Sequence, residues 1–163
     1  MHALIAPGQL TKRSYGEDIL TEQISYDIQG RTTSRESPLF RIGLRYEKPL
    51  KATPRYASDI AEWTCSYRTE PEQTYTFNYD GAGRFTGGNH YENGVLVNKY
   101  AEQGIAYDKN GNILSLKRFN NGALVDNLTY TYSGNRLSSL TEAATPATGD
   151  IYLRQNAATA TYD

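Results

Sequence analysis

One cysteine, Cys65, stands in the 163 residues, which excludes an internal disulfide and a cysteine-built zinc site. It reads as a small packed residue. An excess of charge of one sign is also missing. The 17 basic and 18 acidic side chains are spread along the chain and leave a formal net charge of -1, so no field singles out nucleic acid or an anionic membrane as a partner. Lys12-Arg13 and Lys117-Arg118 are too short for a polybasic patch and read as solvated surface. Long apolar runs are absent, and with them any membrane-inserted segment. The opening residues Met1-His2-Ala3-Leu4-Ile5-Ala6-Pro7 lack the basic stretch and the apolar run of about 7 to 15 residues that a signal peptide needs. An export signal is therefore expected outside this chain, or the protein stays inside.

The residues of catalysis are equally sparse. His2 and His90 are too few and too far apart in sequence for a metal pair, and both read as surface residues. No G-x-S-x-G elbow, cysteine-nucleophile signature or phosphate loop occurs. Asp108-Lys109-Asn110-Gly111-Asn112 has oxygens at alternate positions, but a calcium loop of the EF type needs Gly at its sixth position and an acid at its twelfth. Ile113 and Phe119 stand there, so the run reads as a turn. Asn127-Leu128-Thr129 matches a glycosylation sequon, which three residues do easily by chance. No cofactor or metal is expected, and the chain does not read as an enzyme.

Tyrosine and glycine are plentiful, with 14 of each. A tyrosine packs its ring while its hydroxyl stays wet, and glycine beside Asn or Asp makes tight reversals. Composition thus points to an all-β fold of short strands. One motif recurs: aromatic-polar alternation ending in Tyr-Asp, two residues, then Gly and a polar residue before another strand. It reads YDIQGR over 26–31 (Tyr26, Asp27, Gly30), YDGAGR over 79–84 (Tyr79, Asp80, Gly83) and YDKNGN over 107–112 (Tyr107, Asp108, Gly111). A shortened copy, YSGNRL, covers 132–137 (Tyr132, Gly134), Gly8-Gln9-Leu10 is the second half of another, and Tyr162-Asp163 opens one more. The chain is thus expected to be a single array over 1–163 that begins and ends within repeats.

Each copy makes sense as a β-hairpin. In 74–79 the rings of Tyr75, Phe77 and Tyr79 fall on alternate residues, as do Leu128, Tyr130 and Tyr132, and Phe40, Ile42, Leu44 and Tyr46, which puts each set on one strand face. The Asp bonds its own turn backbone and the Gly supplies positive φ. Asn93-Gly94 and Asn121-Gly122 are further turns, and Val95-Leu96-Val97 a short strand between turn signals. Only in 55–63, with Ile60 and Trp63 at helical spacing, does a helical turn compete, and Thr53-Pro54 and Ser58-Asp59 break it. Residues 142–150 read as a loop.

These repeats resemble the Rhs/YD-repeat family, in particular the arrays of large surface proteins from Bacteroides-like bacteria. The specific phrasing lies in Ser25-Tyr26-Asp27-Ile28-Gln29-Gly30 through Ser37-Pro38-Leu39-Phe40 and in 107–114. The resemblance implies a strip of antiparallel hairpins bonded side by side into a curved sheet or partial shell, at the cell surface or secreted. In relatives such shells enclose a C-terminal toxin or contact partners and sugars. The proline-and-aspartate cleavage signature of toxin-bearing members is missing, so self-cleavage and toxicity do not carry over.

The function expected is therefore a non-catalytic structural segment, partnered by the remainder of a parent shell. The alternative is a carbohydrate- or surface-protein-binding module. Trp63, Tyr91 and Tyr100, which lie outside the repeat core, are the candidate stacking residues; the other tyrosines are expected to pack across strands. Unpaired strand edges are expected to cause self-association, with Lys12, Arg13 and Pro7 shielding one edge and 159–162 well suited to β-pairing.

Overall fold

The computed structural model describes residues 8–17 and 19–145. The described residues form twelve β-strands and no helix. In chain order these are β1 (Lys12–Tyr15), β2 (Leu20–Tyr26), β3 (Thr32–Glu36), β4 (Phe40–Arg45), β5 (Glu62–Tyr67), β6 (Gln73–Tyr79), β7 (Phe85–Glu92), β8 (Val95–Leu96), β9 (Glu102–Tyr107), β10 (Ile113–Asn120), β11 (Ala123–Ser133) and β12 (Arg136–Glu142). The all-β antiparallel class expected from turn spacing is the one observed. Strand order follows chain order, except that β9 follows β7 and β8 pairs with β7 off the main path. Local turns dictate this simplicity, since a strand that ends in a tight reversal has its predecessor as nearest partner. At Asn93-Gly94 and Asn121-Gly122 both residues have positive φ, the geometry whose twist matches the flanking strands.

By contact density the chain divides into two compact units. One comprises the described residues through Phe77 together with Tyr91–Val95, the other Asn78–His90 and the described residues from Leu96 onward.

In the first unit, register separates two chemistries onto the two faces of β4, β5 and β6. Leu44 pairs with Trp63 and Trp63 with Tyr75, while Ile42 pairs with Cys65 and Cys65 with Gln73. These residues share one face, because side chains alternate across a strand. Their neighbours Glu62, Thr64, Thr74 and Thr76 share the other. Rings and aliphatics stay half-buried, whereas Glu62 and the three threonines are buried. The cover comes from the segment that joins β4 to β5: Leu50 and Lys51 donate their N–H groups to Glu62 Oε2 at 3.0 and 2.7 Å. Arg45, the cross-strand partner of Glu62, donates to its other oxygen at 2.6 Å. A carboxylate out of water is tolerated only when both oxygens are satisfied in this way. Gly43 belongs to the same face, since a Cβ there would stand 2.6 Å from Thr64 Oγ1. Glu22 on β2 is likewise buried and takes bonds from Arg35 and Tyr15. The Arg35 guanidinium, against the opposing pull of burial, holds its carboxyl below the usual range.

The second unit buries Ala101, Ile105, Val125 and Leu128 together with His90 and Asp126. Arg118 and Asp126 face each other across β10 and β11, with Arg118 Nη2 2.7 Å from Oδ2. The register shifts just beyond, where Phe119 pairs with Leu124. Val125 is thereby the extra residue of a bulge, and Val125 and Asp126 are both buried although adjacent.

Of four local expectations, those at His90 and Glu142 change. His90 is not a surface residue: it is fully buried, because the chain after β8 turns back onto it. Val97 and Asn98 donate N–H groups to its carbonyl, and its own N–H is accepted by Asn98 Oδ1 at 3.1 Å. Residues 55–60 form no helical turn, in keeping with the breakers Thr53-Pro54 and Ser58-Asp59, and Trp63 lies on β5. β12 runs through Glu142, the residue at which a loop was expected to begin. The shortened copy at Tyr132 and Gly134 closes as a two-residue hairpin, Ser133 pairing with Arg136, because it has no Asp to bracket a longer turn. The expectations for His2, Pro7, 146–150, 159–162 and Tyr162-Asp163 lie outside the described residues.

Candidate functional site

The three Tyr-Asp-x-x-Gly sequences build one turn three times. At the first, Asp27 donates its N–H to the Arg31 carbonyl and accepts the Gly30 N–H on its own, each at 3.0 Å. Its side-chain Oδ1 accepts the N–H groups of Gln29 (2.9 Å) and Arg31 (3.0 Å), and Oδ2 accepts Arg31 Nε at 2.7 Å. Asp80 repeats the pattern with Ala82, Gly83 and Arg84. Asp108 repeats it with Asn110, Gly111 and Asn112, where Asn112 Nδ2 replaces the guanidinium at 2.7 Å. Gly30, Gly83 and Gly111 stand at φ of 81°, 77° and 91°, a region costly to any residue with a Cβ.

The chemistry explains why Asp occupies this position. Its short carboxylate reaches N–H groups two and four residues on, which a longer acid overshoots. Three donors on one carboxylate stabilise its charged form. Burial pushes Asp27 up, but Arg31 and the Arg31 and Gln29 N–H groups outweigh it and the carboxyl lies below its usual value. Asp80 is lowered chiefly by the Arg84 N–H and Asp108 chiefly by the Asn112 side chain, again against burial.

Within each unit, turns are also joined to the segments that neighbour them. The tyrosine hydroxyl that ends one repeat donates to the carbonyl two residues past the previous turn glycine: Tyr26 to Leu10 (2.9 Å), Tyr46 to Thr32 (2.9 Å) and Tyr107 to Phe85 (2.6 Å). The residue between that glycine and that carbonyl points the same way. Gln9 donates to the Gly30 carbonyl at 3.4 Å, Arg84 to the Asp108 carbonyl at 3.0 Å, and Asn112 to Asn135 at 3.2 Å. Arg31 grips both oxygens of Glu47 at 2.7 and 2.9 Å. The guanidiniums of Arg31 and Arg84 lie 4.2 and 4.6 Å from the ring centroids of Tyr46 and Tyr107, within cation–π range. Leu10 and Gln9 thus present to Tyr26 and Gly30 the carbonyl and the donor that Phe85 and Arg84 present to Tyr107 and Asp108.

Sequence reasoning missed that Tyr46-Glu47 is a degenerate copy of the Tyr-Asp unit. The signal was an acid directly after the tyrosine that closes the Phe40-Ile42-Leu44-Tyr46 alternation. It was masked because Lys48-Pro49-Leu50 has no turn glycine. Burial pushes the Tyr46 hydroxyl above its ordinary range.

The three candidate stacking residues do not assemble into one platform. Trp63 stacks on Tyr75, ring centroids 5.3 Å apart at 24°. Gln73 on that face bonds Glu92 at 3.3 Å, so alternation sends Tyr91 to the opposite face, where Lys51 Nζ sits 4.9 Å from its ring centroid. Tyr100 belongs to the second unit, half-exposed, with its ring centroid 5.4 Å from that of His90. In comparisons with known sequences, no family model and no curated protein matches this chain.

Proposed function

We propose that this chain is a non-catalytic structural segment of a β-shell of the Rhs/YD-repeat kind, belonging to a larger surface or secreted protein. The observation that supports this reading is the triple recurrence of one Asp-bracketed turn, with tyrosine hydroxyls joining one repeat to the next. Such a device is a connector. Its Asp carboxylates are occupied by backbone N–H groups and by the residue after the turn glycine, and a repeat presents its neighbour with a carbonyl and a donor at fixed places. The partner it fits is more of the same strip, added edge to edge as further strands. β1, whose residues Lys12–Tyr15 are all exposed, is one such edge. Light scattering of the isolated chain tests this: the expected result is a mass that rises with concentration, and a concentration-independent monomer counts against it.

A second reading, a carbohydrate- or surface-protein-binding module, is favoured by the half-buried Trp63–Tyr75 stack. A glycan array with a tyrosine-fluorescence titration separates the two. A scaffold gives no saturable response, whereas a binding module loses its response on Trp63→Ala.

A further inference from the structure

Three Asn-Gly pairs stand in the chain, at 93–94, 110–111 and 121–122, and all six residues are exposed. Such pairs are reactive as well as good turns. The backbone nitrogen of the glycine can attack the side-chain carbonyl carbon of the asparagine, since no Cβ on the glycine stands in the way. The new N–Cγ bond closes a succinimide ring and the Cγ–Nδ2 bond breaks. The side-chain nitrogen leaves as ammonia, taking the proton that the glycine nitrogen gives up. Water then opens the imide at one carbonyl or the other, to aspartate or to isoaspartate.

The fold treats the three nucleophiles differently. Gly111 donates its N–H to the Asp108 carbonyl at 3.2 Å, and Gly122 donates its own to the Lys99 carbonyl at 3.1 Å. Each of these nitrogens must give up a hydrogen bond before it can lose its proton. The Gly94 N–H has no acceptor among the described residues. Lys51 Nζ bonds the Gly94 carbonyl at 3.0 Å and lies 3.8 Å from where a Cβ on Gly94 would stand. An ammonium thus sits close to the nitrogen that must become anionic, and a nearby opposite charge favours that form. At Gly111 the charge alongside is the Asp108 carboxylate, which the Gly111 N–H helps to hold, and it opposes the same step. Glu72 donates its N–H to Asn93 Oδ1 at 3.1 Å. Negative charge develops on that oxygen as the ring closes, so the donor stands where an oxyanion needs one.

We infer that Asn93-Gly94 is a self-modification site, at which the folded chain converts Asn93 to a succinimide and then to isoaspartate or aspartate ahead of its other Asn-Gly pairs, with water the one co-reactant. The consequence is local. Asn93 donates its N–H to the Glu72 carbonyl at 2.8 Å and accepts the Glu72 N–H in return, which ties the β5–β6 connection to the β7–β8 turn. Isoaspartate routes the backbone through the former side chain, so the oxygen that held the Glu72 N–H leaves its place and the tie opens. This site is independent of the scaffold reading, since none of its groups takes part in the Asp-bracketed turns.

The full chain is aged at mildly alkaline pH and digested with trypsin, which puts the three pairs in different peptides, and deamidation of each is followed by mass spectrometry. In the folded chain Asn93 is expected to react at roughly three times the rate of Asn110 and Asn121 or more, the scale of one hydrogen bond that need not be broken. In urea above the unfolding midpoint the three rates should draw together. Lys51→Gln should slow Asn93 about two- to fivefold, the scale of an exposed charge interaction, and leave the other two rates unchanged, whereas Lys51→Arg should keep the parent rate. Urea midpoints of both variants check that they stay folded. The proposal is overturned if Asn110 or Asn121 keeps pace in the folded chain, if Asn93 keeps its lead in urea, or if the folded Lys51→Gln variant reacts at the parent rate.

Discussion

The turn at Asp27 and the turn at Asp108 have the same backbone and different fastenings. In both, one carboxylate collects the N–H groups two and four residues on, and a glycine at positive φ completes the reversal. At Asp27 the residue after that glycine is Arg31, which satisfies Asp27, holds Glu47 and lies on the Tyr46 ring at once. At Asp108 it is Asn112, which bonds Asp108 and Asn135. The reversal is therefore set by Asp and Gly, and the strength of the joint to the next repeat by the residue that follows. A planar guanidinium with five donors can serve three neighbours where a carboxamide serves two.

The largest effect that could break this division comes from the glycines. Nothing lies within 4 Å of a Cβ built on Gly83 or Gly111, so Gly83→Val and Gly111→Val each cost backbone strain alone, about 1–2 kcal/mol. Urea midpoints should fall by similar amounts in both, against little change for the exposed Lys48→Ala. A marked inequality would show that the following residue takes part in the reversal itself. Next in size, Tyr107→Phe removes the 2.6 Å bond to the Phe85 carbonyl and should lower stability by about 1 kcal/mol, again read by urea denaturation. Arg84→Asn, which converts an Arg-fastened joint to the Asn112 kind, should keep the turn and lose about 0.5–1 kcal/mol from the Tyr107 ring contact. The reciprocal Asn112→Arg should not destabilise.

The smallest effect is acid sensitivity. Asp27, Asp80 and Asp108 have folded values below the ordinary 3.8. Their charged forms therefore favour the fold above that value, and the contribution is lost as pH falls from about there through the lower folded values. Stability followed from pH 5 to 2 should drop less steeply in Asp108→Asn than in the parent chain. An unchanged slope would mean that the turn donors do not stabilise the charge.

The turns were legible because their chemistry is local. Asp, Gly and the N–H groups they engage lie within five consecutive residues, so Asp27-Ile28-Gln29-Gly30-Arg31 carries its own geometry. Strand faces were legible as alternation. Which face is covered was not, because burial of Thr64, Thr74 and Thr76 depends on the fold of the distant segment joining β4 to β5. The Arg45–Glu62 and Arg118–Asp126 pairs were hidden for a related reason: they exist only once register is known. His90 looked like a solvent residue because nothing nearby in sequence announces that Asn98 will close over it.

The hydroxyl joint has one consequence for how such a chain can change. Between a turn glycine and the tyrosine that answers it, the path varies: Gly8 is answered by Tyr26, Gly30 by Tyr46 and Gly83 by Tyr107, the last across the added β8 hairpin. The joint reads only its two ends, a carbonyl and a phenol, and is indifferent to the length of chain between them. Insertions can therefore accumulate inside a repeat without a compensating change in its neighbour, which makes the stretch before each tyrosine the place where new loops, and with them new surfaces, can be acquired at little cost to the array.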